Sequence, residues 1–96
     1  MPFYTIKEAI RGGTKVRIRL RGGERVVEPH LLGRNRRGDT LVRAYQVGGL
    51  GHAEGWQLLR LEEVEQAVET GERFGNPRPG YKPRDRAMAG GIIESF

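Results

Sequence analysis

The sequence predicts a small, mainly β domain: about five short strands in a twisted sheet that curls into a barrel, behind a short N-terminal helix and ahead of an irregular C-terminal segment. Three observations predict it. The 96 residues are enough for one core only, so a single domain spans 1–96, with 1–75 as its body and 76–96 as a Pro/Gly-rich extension. Apolar and charged residues alternate with period two over Lys15 to Arg21, the pattern of a half-buried strand. The 15 glycines punctuate short β-branched runs, and a sheet this small protects its edges best by closing on itself.

Thr5-Ile6-Lys7-Glu8 has the spacing of a capping box, and Ile6, Ala9 and Ile10 form one apolar stripe, so a short helix is expected to start at Thr5 and end at Gly12-Gly13. In the strand that follows, Val16, Ile18 and Leu20 point one way and Arg17, Arg19 and Arg21 the other. Gly22-Gly23 reads as a two-residue turn and Arg25-Val26-Val27-Glu28 as the returning strand of a hairpin. Pro29 suggests an edge or a bend, with His30-Leu31-Leu32 a short continuation. Gly33 to Asp39 is a basic loop tip carrying Arg34, Arg36 and Arg37. Thr40 to Val47 is the third strand, Gly48 to Gly55 a glycine-rich connector and Trp56 to Leu61 the fourth strand. Leu61 to Val68 fits either a helix face or an alternating strand, and propensity favours helix. Phe74 to Pro83 is irregular, Asp85 caps a last helical turn over Ala87 to Ala89, and the apolar tail Ile92 to Phe96 is expected to dock, with a neighbouring molecule as one host.

Without cysteine, disulfides, thiolate metal sites and cysteine nucleophiles are excluded, and two histidines, His30 and His52, are too few for a histidine-built metal site. No metal or other cofactor is expected. No long apolar run or secretory pattern is present, so a cytoplasmic protein without membrane contact is expected. Lys and Arg total 17 against 12 Asp and Glu. The excess is local: residues 1–48 carry 11 basic against 4 acidic side chains, residues 49–96 carry 6 against 8. Fourteen of the cations are arginine, whose planar fork grips phosphate and stacks on bases. An anionic partner is therefore expected.

The segments Ile6 to Ile10 with Val16-Arg17-Ile18, then Arg25-Val26-Val27-Glu28-Pro29, Leu41-Val42-Arg43-Ala44-Tyr45, and Trp56-Gln57-Leu58-Leu59-Arg60-Leu61-Glu62-Glu63-Val64 followed by Phe74 resemble, in order and spacing, the WYL domain. That bacterial ligand-sensing module has an SH3-like or Sm-like barrel and occurs in transcription regulators and in regulators linked to phage defence. Here Thr40-Leu41-Val42 stands where the family has Trp-Tyr-Leu, and Gln57 replaces the first arginine of a segment whose second is Arg60. The resemblance implies that Val64 to Val68 is a turn and closing strand, that Arg43, Gln57 and Arg60 border a ligand pocket, and that a separately encoded regulator is a candidate partner.

From the residues themselves, Arg17, Arg19 and Arg21 place cations about 6.7 Å apart along one strand, a spacing suited to a phosphodiester backbone. The competing reading pairs them with Glu24 and Glu28 on a solvated face. Arg34, Arg36 and Arg37 have Asp39 alone among nearby acids. His30 is either a ligand contact or a satisfied core group, Tyr45 either stacks on a base or fills core, and Trp56 reads as core. Glu62, Glu63, Glu65, Glu69 and Glu72 read as a solvated or docking face, with no nucleophile or acid/base partner to make an enzyme. The leading expectation is a non-enzymatic module that binds single-stranded DNA or RNA, or a nucleotide-like anion, through its arginines. The alternative is a homo-oligomeric or partner-docking module.

Overall fold

The computed structural model describes residues 1–49 and 53–96, so residues 50–52 of the glycine-rich connector, His52 included, lie outside the described residues. Helix α1 spans Pro2–Gly12. Strands follow as β1 Thr14–Leu20, β2 Gly23–Arg34, β3 Thr40–Gly49, β4 Gly55–Arg60, β5 Gln66–Arg73 and β6 Gly91–Ser95. All pair antiparallel in one sheet of order β4-β3-β2-β1-β5, with β6 on β2. The mainly β architecture with one short helix is as expected, with six strands rather than five. Among the described residues no ladder joins β4 to β5; the turn Leu61–Glu63, a single 3-10 turn, links them.

The helix begins three residues before the expected capping box. Pro2 lies in its first turn, where a missing N–H forfeits no bond, and the Thr5 hydroxyl donates back to the Met1 carbonyl at 3.2 Å instead of capping. Gly13 ends it in the left-handed conformation, φ 66°. The apolar stripe Ile6, Ala9 and Ile10 packs on Val16, Ile18, Val27, Leu32, Val42, Ala44, Leu59 and Val64, and this is the main core. Each large side chain fully buried there contributes about 1.5–3 kcal/mol.

The hairpin turn is shifted by one residue. Leu20 lies opposite Gly23, so Arg21 and Gly22 form the turn and Arg21 leaves the strand face it was expected to share with Arg17 and Arg19. Gly22, at φ 98°, supplies the left-handed turn position. Pro29 lies inside β2, not at its end. The register shifts between Pro29 and Leu31, just where β2 exchanges one partner for another: Val27 is its last residue paired with β1, and Leu31 its first paired with β6. A residue without an N–H is tolerated at such a handover.

Residues 66–73 are strand, as the resemblance implied and against helix propensity: Gln66, Ala67 and Val68 pair with Arg19, Ile18 and Arg17, and that pairing overrides local preference. The tail, read above as free to seat on a neighbour, is consumed within the chain. It forms β6, and the Phe96 N–H donates to the His30 carbonyl at 2.8 Å. The extension is therefore only partly irregular. Asp85 caps the turn Arg86–Met88 as expected, accepting from the Ala87 N–H at 3.0 Å.

Candidate anion-binding surface

The predicted arginines do not form one continuous face. Those of β1 and its turn stand at one end of the twelve-residue β2 and those of the basic tip at the other. On β1, Arg17 is exposed and has no acidic partner among the described residues, whereas Arg19 pairs with Glu24 at 3.1 Å. Arg43 is held by Asp85 at 2.7 Å, and Arg60 by Asp39 at 2.8 Å. The Arg43 contact holds the Asp85 carboxyl below the usual carboxylate range, helped by the Ala87 N–H. Gln57 lies half-buried on β4, opposite Ala44.

His30 is a core group. It is fully buried, its Nδ1–H donates to the Glu28 carbonyl at 2.8 Å, and its Nε2 accepts from the Arg78 N–H at 3.1 Å. The rings of Trp56, Phe74, Tyr81 and Phe96 lie 4.8–5.6 Å from it, centroid to centroid. Burial pushes the imidazole below its ordinary pKa, so it stays neutral, with no free nitrogen for a ligand. Beside it, the carboxylate of Glu28, 1% exposed, receives a two-pronged contact from Arg78 at 2.7 and 3.0 Å. The Arg78 guanidinium lies 4.5 Å from the centroid of the Tyr45 ring, and the Tyr45 hydroxyl donates to Glu54 at 3.1 Å. That ring thus has a cation on it in place of a base. Trp56 is half-buried, its indole N–H donating to the Pro79 carbonyl at 3.0 Å.

At the far end of β2 the picture differs. Asn35 organises the tip: its side-chain oxygen accepts from the N–H groups of Arg37 at 3.0 Å and Asp39 at 2.9 Å, and its amide donates to the Asp39 carboxylate at 3.1 Å. The Asn35 contact, seconded by Arg60, keeps the Asp39 carboxyl below its usual range. The chain after the Asp85 cap then returns to this tip. The Gly90 N–H donates to the Arg34 carbonyl at 2.7 Å, and a Cβ at Gly90 would collide with the Asn35 carbonyl, so only glycine allows the approach. The result is a shallow cavity of about 320 Å³ lined by Asn35, Arg36, Arg37, Arg86, Ala87 and Ala89.

Among the described residues, none of Arg34, Arg36, Arg37, Arg84 and Arg86 has an acidic partner, because the acids closest in sequence, Asp39 and Asp85, are engaged by Arg60 and Arg43. Arg34, Arg36 and Arg37 are exposed. Sequence reasoning found these three and missed Arg86. The alternation Lys82, Arg84, Arg86 was its only signal, and the fold was needed to bring that segment to the tip. No family model, curated protein or solved structure matches this chain.

Proposed function

We propose that the protein is a non-enzymatic binding module that holds a phosphate-bearing ligand, most simply a single-stranded nucleic acid, on the tip formed by Arg36, Arg37 and Arg86. The observation that carries this reading is the cavity where three arginines without acidic partners among the described residues border a loop braced by Asn35. Exposed planar forks on a braced backbone suit successive phosphates, with the exposed Arg34 beside them in the chain. Such contacts position a strand without reading its bases, so little sequence preference is expected. The resemblance to WYL domains, as ligand-sensing modules of bacterial regulators, supports the same reading and suggests a role in transcription control or phage defence.

Fluorescence anisotropy with labelled single-stranded DNA, single-stranded RNA and duplex, titrated across about 50 to 200 mM salt, tests it. Three phosphate contacts predict a log–log salt slope of about −2 on a single strand. Absence of salt-sensitive binding at micromolar protein overturns the proposal. Self-association is a second reading, supported by the outer edge of β5, which has no strand partner among the described residues. It loses the tail as its adhesive, since β6 is occupied within the chain. Light scattering that shows a monomer at all salt concentrations removes it.

A further inference from the structure

A second cavity, of about 610 Å³, opens between the β1–β2 turn, β4 and the turn Leu61–Glu63. Its volume falls within the span typical of small-molecule sites, about 300 to 1,000 Å³. Arg21 and Arg25 line one part of it, Glu62, Glu63 and Glu65 another, and Leu58, 43% exposed, adds an apolar surface. Five charges of both signs thus border one cavity, yet no ion pair joins these arginines to these glutamates among the described residues; Glu62 is reached instead by Arg60 at 3.8 Å. The frame holding them is fixed. The Glu65 N–H donates to the Arg19 carbonyl at 2.9 Å, tying that wall to the end of β1.

Arg25 adds an independent observation. Its Nε is buried and has no hydrogen-bond partner among the described residues, although the side chain lines the cavity. Arg25 as a whole is half-buried, so its charge is only partly hydrated while no acid pairs with it among the described residues, and an anionic group arriving in the cavity would neutralise it. A simple anion satisfies the arginines but meets three carboxylates, and a simple cation meets the reverse.

We infer that this cavity is a binding site for a small zwitterion of amino-acid or dipeptide size, its carboxylate on Arg25 and Arg21 and its ammonium toward Glu63 and Glu65. The site is separate from the arginine tip and does not depend on the proposal made for it. The probe is the dipeptide alanyl-alanine, titrated into the isotopically labelled full chain and followed by chemical-shift changes, with its N-acetyl and C-terminal amide forms alongside. Saturable shifts at Gln57, Leu58 and Glu65 are expected, with affinity about tenfold or more weaker when either charge is capped, since each cap removes a charge-assisted contact. Arg25→Met and the rim variant Glu65→Gln are each expected to weaken the dipeptide by a similar factor. Glu65→Gln reads the site even if Arg25→Met fails to fold. Absence of saturable shifts at millimolar dipeptide, equal binding of a capped form, or full affinity in Glu65→Gln overturns the inference.

Discussion

The imidazole of His30 is fully buried among Trp56, Phe74, Tyr81 and Phe96, kept neutral by that burial and hydrogen-bonded at both nitrogens. His30→Ala therefore opens a cavity and orphans the Arg78 N–H, with an expected loss of about 3 kcal/mol in urea unfolding. Because burial lowers its pKa in the fold, the unfolded chain binds the extra proton first. The His30 contribution is complete above the unfolded value near pH 6.5 and declines as pH falls from there toward the folded value. The melting temperature should drop on acidification through this window, and the slope should flatten in His30→Asn; identical slopes would show that His30 is not the titrating group. Glu28 and Arg78 make a second test of the same cluster. Arg78→Met strands a carboxylate that is 1% exposed, with Lys15 at 4.0 Å the one cation left to it among the described residues, so the melting temperature should fall. Adding Glu28→Leu should restore part of the loss, whereas fully additive losses would deny the pairing. The sequence offered a satisfied core group as one reading of His30 but not its partners: a lone histidine after a proline does not disclose aromatic rings that arrive from residues 56 to 96.

At the scale of elements, β6 covers the second half of β2 as β1 covers the first. Deleting residues 92–96 should lower the melting temperature and, by baring the edge of β2, promote association. If the tail itself were the adhesive between copies, light scattering would report the opposite, a loss of association. Gly90→Ala should displace the 86–89 segment from the Asn35 loop and weaken anion binding without removing a charge, because its Cβ meets the Asn35 carbonyl. Unchanged affinity in that variant would separate the Arg86 segment from the site. Period two over Val16 to Leu20, the hairpin glycines and the Asp85 cap were readable because each depends on near neighbours in sequence. The strand at 66–73 was not readable from propensity, since its partner Arg17–Arg19 lies far upstream. Equally, Gly22-Gly23 announced a turn but not which residue would open it, and a shift of one position moved Arg21 off its face.

Across the whole molecule, the sequence announced an arginine excess without saying how the chain's acids would be distributed over it. The fold assigns Asp85 to Arg43, Asp39 to Arg60 and Glu24 to Arg19, and leaves the tip arginines without acidic partners among the described residues. It thereby gathers arginines without acidic partners among the described residues at the far end of β2, the place proposed above for the ligand. The most direct test compares Arg36→Gln/Arg37→Gln/Arg86→Gln with Arg17→Gln/Arg19→Gln in single-stranded DNA binding across a salt series. The tip variant should lose about tenfold or more in affinity and flatten the salt slope by about 2, while the β1 variant keeps most of both. Equal losses in the two variants, or none in the tip variant, would contradict a binding site at the end of β2.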